Sequence, residues 1–267
     1  MTTWEISEPR TIDLDDVRTL RLRIVAGDVS VTATDGPARL EVHAIKGVPL
    51  SVTLDDGVLT VTYEDVSWGG ILGFLIGGRR HQREVSLALA LPPGCDVQLG
   101  TVSASAVVSG ITKPVSVRSV SGEITLDGIG GEITAKTVSA DVEALALAGQ
   151  LRFDTVSGDL TVASGQARSL VAKTVSGDIT LAVGLDEGGD IDVKSVSGDV
   201  AIRLPETAGA KVRVESVSGQ LHSEFSELQT ERGPGQRRLD GALGDGSGAL
   251  RIRTVSGDVD LLSQAAR

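Results

Sequence analysis

The chain of 267 residues has a single cysteine, Cys95, and very few aromatic side chains. One cysteine excludes an intrachain disulfide and any metal site built from cysteines. The aromatic residues are two Trp, one Tyr and three Phe, too few for the extended stacking groove of a polysaccharide-cleaving enzyme. We therefore predict a protein that is not an enzyme and that has no cofactor.

Positive charge is also scarce, because 25 Lys and Arg stand against 36 Asp and Glu, for a formal net charge of −11. Phosphate neutralisation needs clustered cations, so no nucleic-acid partner is expected. The first ten residues have neither a basic start nor an apolar run, which predicts no signal peptide and a cytoplasmic location. The longest apolar stretch, 68–78, is shorter than the roughly 20 residues of a spanning helix.

Glycine, by contrast, is abundant, and much of it belongs to a motif that occurs eight times. Half of the copies read T/S-V-S-G-D and the others differ at one or both of the last two positions, and the copies begin at positions 101, 119, 137, 155, 174, 195, 216 and 254. The residues between copies alternate between apolar and polar and are rich in β-branched types, which favours strands. A period of 18 to 21 residues with this content predicts an all-β, single-chain parallel β-solenoid (β-helix) with one coil per copy.

Alternation within the motif predicts which side chains form the core. Counted from the valine, positions 1, 3, 5 and 7 share one face, and positions 5 and 7 are mostly aliphatic. We expect the valine inside, with Val196 stacked between Val175 and Val217, and a small residue at position 3 in a narrow part of the core. A corner or bulge is expected between the preceding Thr or Ser and the valine.

The regular repeat begins near residue 100. We interpret 1–100 as a strand-rich N-terminal β cap with the opening coils, interrupted by the apolar loop 66–82. Within it, 25–31 repeats the motif, and 52–61 is typical of a hairpin around Asp-Gly. Residues 101–267 are expected to form the regular β-solenoid, with an insertion at 224–249.

The repeated T-V-S-G-D unit, with an L-P-P-G strand end at 91–94, resembles a bacterial β-strand-repeat family known as the "putative adhesin" domain or Toastrack. The resemblance covers about residues 18–263. It implies a β-solenoid without known catalysis, often linked to envelope-stress systems, with some surface proteins among its members. The resulting hypothesis is a non-enzymatic interaction scaffold in a bacterial cell-envelope stress response. A surface adhesin and a self-assembling structural rod joined through 258–262 are the alternatives.

Position 4 of the motif carries acidic residues that would stack in an outward column. They are Glu123, Asp141, Asp159, Asp178, Asp199 and Asp258. Unit charges about 5 Å apart in water repel by roughly 0.8 kcal/mol, a cost that bound Ca²⁺ would relieve. We favour the alternative that each carboxylate accepts hydrogen bonds from local N–H and hydroxyl groups at a bend, and we predict no tight metal site.

The apolar loop is a second candidate site. Its bulky and basic residues are Trp68, Ile71, Leu72, Phe74, Leu75, Ile76, Arg79 and Arg80. If the loop folds onto the stack, it covers an open end of the core. If it is exposed, residues 68–80 form a patch for a protein partner or a membrane surface. The sequence leaves both alternatives open. It also leaves open whether the chain associates with itself.

Overall fold

The computed structural model describes residues 1–63, 83–233 and 236–264, and all of its regular structure is β-strand. The first strands are β1 (Thr2–Ile6), β2 (Arg10–Leu14), β3 (Thr19–Ala33), β4 (Ala38–Gly47), β5 (Leu50–Asp55), β6 (Val58–Thr62), β7 (Arg83–Leu91) and β8 (Asp96–Ser109). Over the described ranges there is no helix that is long and apolar enough to cross a membrane. The predicted all-β fold is confirmed.

The remaining strands are mostly shorter and carry the repeated motif between them. They are β9 (Val115–Ser119), β10 (Glu123–Asp127), β11 (Ile133–Thr137), β12 (Asp141–Leu145), β13 (Leu147–Asp154), β14 (Leu160–Val162), β15 (Gly165–Lys173), β16 (Ile179–Ala182), β17 (Gly184–Lys194), β18 (Val200–Pro205), β19 (Ala210–Ser216), β20 (Leu221–Ser223), β21 (Gln229–Gly233), β22 (Gln236–Leu243), β23 (Gly248–Thr254) and β24 (Val259–Gln264). We call a pair of consecutive strands with the motif between them one repeat unit.

Equivalent strands of successive repeat units pair in parallel, and they are in register apart from irregularities in the β13–β15 and β15–β17 pairs. In one row, Val142 of β12 lies between Ile124 of β10 and Leu160 of β14. The other row contains β9, β11, β13, β15 and β17. The long strands β3 and β8 run through both rows and pair in parallel from Thr19 to Thr32. This parallel, in-register pairing repeats the same side chain at the same place from unit to unit.

The two ends of the sheet are antiparallel, so the pairing is mixed rather than parallel throughout. At the amino-terminal end, β2 pairs with β4, β4 with β7, and β1 with β5. The β5–β6 hairpin turns at Asp56 and Gly57, whose φ angles are 45° and 73°, as a two-residue Asp-Gly turn requires. At the other end, β22 pairs with β19 and β21.

The last unit in the sequence is not the last unit in space. Strand β23 lies between β17 and β19, and β24 lies between β18 and β20. The expectation that Val217 follows Val196 in the stack is therefore wrong, because Val255 lies between them. The predicted end-to-end junction through 258–262 is also wrong, since β24 already has a strand on each side.

The motif valine faces outward, contrary to the expectation from alternation. Val196 is 46% exposed, whereas Ser195 before it and Gly198 after it are buried. The break in alternation falls between Val196 and Ser197, one residue later than predicted, because both of these residues lie on the outside of the corner. The inward positions are instead the preceding Thr or Ser, position 3 and position 5, and Val200 at position 5 is buried.

The small residue at position 3 faces a narrow part of the core, as expected. A Cβ added to Gly177, Gly198 or Gly257 would overlap the backbone carbonyl of the equivalent glycine in a neighbouring unit. No side chain larger than hydrogen fits there without moving the backbone. Two glycines of the column, Gly27 and Gly122, also have positive φ angles of 115° and 112°, which the sequence reasoning did not expect.

Candidate interaction surface

The corner between the two strands of a unit is held by hydrogen bonds that run from one unit to the next. The N–H of Ser197 donates to the carbonyl oxygen of Val175 at 2.9 Å, and the Ser197 hydroxyl donates to the same oxygen at 3.3 Å. The N–H of Ser256 donates in the same way to Val196 at 3.0 Å. The same pair of bonds joins Ser121 to Val102 and Ser139 to Val120, so these serine contacts recur along the stack.

The exposed valines form a continuous row, which we call the valine ridge. In spatial order its members are Val156, Val175, Val196, Val255 and Val217, with exposed fractions from 46% to 56%. The equivalent Val102, Val120 and Val138 are only half-buried, so the ridge is confined to one part of the stack. A row of apolar side chains on a rigid frame is suited to contact another surface.

The six acidic residues at position 4 are all exposed, and four of them, Asp159, Asp178, Asp199 and Asp258, belong to units of the valine ridge. Each Asp carboxylate from Asp141 onward accepts a hydrogen bond from the position-4 N–H of the next unit. The Asp178 Oδ1 atom, for example, accepts from the Asp199 N–H at 2.9 Å, and the Asp199 Oδ1 atom accepts from the Asp258 N–H at 2.8 Å. The carboxylates thus link neighbouring units rather than only bonding locally at the bend.

A shallow groove of about 240 Å³ opens beside this column at Glu123, Asp141, Glu143 and Asp159. Its lining is acidic apart from Val142 and Thr161. In the described parts of the chain no group of three His, Cys, Asp or Glu residues is placed to hold a metal ion.

Reactive groups elsewhere are dispersed. The Cys95 thiol is buried, and this burial raises its pKa to about 11, so the thiol stays protonated at neutral pH. His43 and His222 lie exposed on separate strands. Hydrogen bonds from Ser247 hold the pKa of the Asp245 carboxyl below its usual value in the turn before β23. None of these groups adjoins another in an arrangement typical of catalysis.

The predicted interaction loop with Trp68, Phe74, Arg79 and Arg80 lies outside the described residues. Tyr63, which precedes this segment, is buried, and β7 begins at Arg83 after it.

The Toastrack DUF4097 family profile matches residues 17–262. The chain belongs to the Toastrack family. The family resemblance inferred from the motif is thus confirmed.

Among curated proteins no match is found. A solved structure from Bacteroides fragilis, described as a "putative adhesin", has a TM-score of 0.50 and 10% identity and covers 95% of this chain and 96% of its own. A second solved structure described as a "putative adhesin", from Parabacteroides distasonis, has a TM-score of 0.44 and 12% identity. The match covers 98% of this chain and 97% of that one.

Sequence reasoning missed two features of this Toastrack surface. It placed the valines inside, because strict alternation hides a corner at which two consecutive residues face outward. It also overlooked the residue before the motif, which is Arg or Lys in five units. That position could have been found, since it alternates with inward residues of the strand and must face solvent.

Proposed function

We propose that this Toastrack chain is a non-enzymatic interaction scaffold, in which the stacked units form a parallel β-solenoid and the valine ridge contacts a partner. The valine ridge carries the proposal. Neighbouring strands in a sheet are about 4.8 Å apart, so a row of five valines presents a straight apolar edge roughly 20 Å long. Soluble proteins seldom leave such a row facing water unless something binds it.

The polar groups around the valine ridge support a scaffold rather than a catalyst. The Ser197 hydroxyl donates to a backbone carbonyl, and the Asp199 carboxylate accepts from a backbone N–H. A nucleophilic serine needs a general base within hydrogen-bond reach, and here the base position is taken by a carbonyl oxygen of the neighbouring unit. These groups serve to hold the units together.

Site-specific photocrosslinking tests the scaffold. A photoreactive amino acid replaces Val175 on the ridge or, as a matched control, Val107, which is 44% exposed but lies off the ridge. In cells that express the full chain, we expect a discrete crosslinked species from position 175 only, and we expect excess wild-type chain to compete it away. The same species from both positions, or none from position 175, would overturn the proposal.

Location distinguishes the two biological settings. The family resemblance supports a role in an envelope-stress response, for which we propose a cytoplasmic scaffold with a protein partner or a membrane-surface contact through 68–80. A surface adhesin is the second candidate, favoured by the similarity of the fold to the Bacteroides fragilis protein described as a "putative adhesin". Protease treatment of intact cells separates them, because a surface adhesin is degraded and a cytoplasmic scaffold survives until lysis.

A further inference from the structure

Exposed large hydrophobic side chains are concentrated at one place on the described surface. Seven such residues occur in the described ranges, and five of them are the members of the valine ridge. The other two, Met1 and Val107, lie elsewhere. A single exposed valine needs no explanation, but a row that collects most of the exposed hydrophobic side chains marks an interaction surface.

The valine ridge runs between a column of cations and a column of carboxylates. On one side, the outward residue before the motif is a cation in five units, namely Arg118, Lys136, Lys173, Lys194 and Arg253, and these stack in register with Asp154 and Glu215. On the other side lie the position-4 carboxylates. The two flanks of the ridge therefore carry opposite charge.

Three consecutive units in space have the complete pattern of cation, valine and aspartate. They are Lys173–Val175–Asp178, Lys194–Val196–Asp199 and Arg253–Val255–Asp258. In the units on either side, acidic residues replace the cation, so the pattern ends there. In the described structure Lys173 has no carboxylate within 4.0 Å, whereas Lys194 and Arg253 have carboxylate oxygens at 3.6 and 3.5 Å.

A surface with opposite charges on its two flanks is complementary to itself in one orientation. If two copies lie side by side with a two-fold axis parallel to the stacking direction, the cation column of each faces the carboxylate column of the other. If the copies run antiparallel, cations face cations. Resting on the proposed function of the valine ridge, we propose that its partner is a second copy of this chain, bound in parallel through 173–178, 194–199 and 253–258.

The geometry sets the strength and the selectivity of this dimer. Three units span only roughly 15 Å, so the buried area falls in the class of weak, transient interfaces. The valines supply the apolar contact, and the exposed ion pairs select the parallel orientation more than they add affinity. In the flanking units Asp154 would face Asp159 and Glu215 would face Gln220, so neither adds an ion pair and the complementary contact is limited to the three central units.

Sedimentation velocity over a wide range of protein concentration tests the dimer. We expect the full chain to form a dimer at about 100 μM and above, as a weak interface implies. Val196→Asp should weaken dimerisation at least tenfold, while the matched control Val107→Asp leaves it unchanged. Thermal unfolding of both variants monitors the fold, and Val196→Ser replaces Val196→Asp if the latter shifts the midpoint. Equal effects of the ridge and control variants would overturn the proposal.

Mixing charge variants tests the orientation. Lys194→Asp and Asp199→Lys each place like charges opposite one another in a homodimer, so each chain alone should be mostly monomeric. Mixed together, they should form a heterodimer at wild-type concentrations, because each reversed charge then meets its opposite. Failure of the mixture to associate would exclude the parallel arrangement.

The outcomes separate this dimer from the scaffold proposal. A chain that stays monomeric at all concentrations overturns the dimer. In that case the crosslinking experiment at position 175 still tests the scaffold proposal independently. A species with twice the mass of the chain supports the dimer, and one containing a different protein supports a scaffold whose partner is not itself.

Discussion

The same five-residue motif folds differently in the two parts of the stack. In the early corners, 25–28, 102–105, 120–123 and 138–141, the valine is half-buried. In the late corners, from 156–159 onward, the valine is exposed and forms the valine ridge. The early and late copies also differ in sequence, most clearly at position 3 of the motif.

Position 3 differs between these two parts. The early corners alternate glycines of positive φ, Gly27 and Gly122, with Ala104 and Ala140, whereas the late corners have glycine throughout without positive φ. In the late corners, the carbonyl of one glycine occupies the place where the Cβ of the next would lie. Alanine occurs at position 3 only in the early corners, where the valine is half-buried.

Hydrogen bonding follows the same division. In the late corners, the position-3 N–H donates to the preceding Thr or Ser, as from Gly177 to Thr174 at 2.8 Å. In the early corners, the hydroxyls bond to each other, as from Thr101 to Ser119 at 2.8 Å. In the early corners the inward hydroxyl also donates to a carbonyl of its own unit, as from Thr137 to Ala140 at 3.1 Å, whereas in the late corners it accepts from the position-3 N–H.

The largest expected effect comes from removing the last corner in the sequence, 255–258, which lies between two earlier units in the stack. A chain ending after Ser247 lacks β23 and β24 and leaves β19 and β20 without their parallel partners. We expect it to lose about 4 kcal/mol or more of unfolding free energy relative to the full chain. It should be no more stable than the shorter chain ending after Pro205. Denaturant unfolding compares the chains, and a clear gain of stability from residues 206–247 would contradict the inserted arrangement.

A glycine-to-alanine change in a late corner should have the next largest effect. In Gly198→Ala the new Cβ overlaps the Gly177 carbonyl, and overpacking of this kind costs about 3 kcal/mol. The reverse change in an early corner, Ala140→Gly, removes a methyl group that is already accommodated and should cost about 1 kcal/mol. Chemical denaturation of both variants gives the comparison, and equal losses would mean that the two corners do not differ at position 3.

The inward hydroxyl of a late corner should contribute less. Thr174→Val keeps the shape of the side chain but leaves the buried N–H of Gly177 without its acceptor, at a cost of about 2 kcal/mol. Thr174→Ser keeps the acceptor and should cost under about 1 kcal/mol, since Ser195 and Ser216 occupy the same position in other units. If Val and Ser variants unfold alike, the hydrogen bond contributes nothing measurable to stability.

The repeat period and alternation in the sequence were sufficient to predict the all-β fold, the position-3 core column and the Asp56–Gly57 hairpin. They did not predict the outward valine, because period-2 reasoning has no signal for two adjacent outward residues at a corner. The place of β23 was also hidden, since every copy of the motif is an equally good neighbour for every other. Antiparallel ends depend on pairings between distant strands, for which a repeat pattern gives no information.

The smallest expected effect concerns the acidic column, and three variants resolve it. Asp178→Ala removes the acceptor for the Asp199 N–H and also one of the stacked charges. The lost hydrogen bond at an exposed site costs about 1 kcal/mol, and the relieved repulsion offsets part of it. Asp178→Asn keeps an acceptor oxygen and removes the charge, so it should be neutral or slightly stabilising.

Glu123→Ala provides the early-corner control, because over the described residues the Glu123 carboxylate has no hydrogen-bond partner. It loses no hydrogen bond and relieves only the repulsion with Asp141, so it should raise stability slightly at low salt and leave it unchanged at high salt. The measurement is denaturant unfolding of the variants at low and high salt. Salt screens the repulsion between exposed carboxylates, so Asp178→Ala should appear more damaging at high salt, where the offsetting gain disappears. A loss for Asp178→Ala that is independent of salt would mean that hydrogen bonding alone accounts for the aspartates of the late corners.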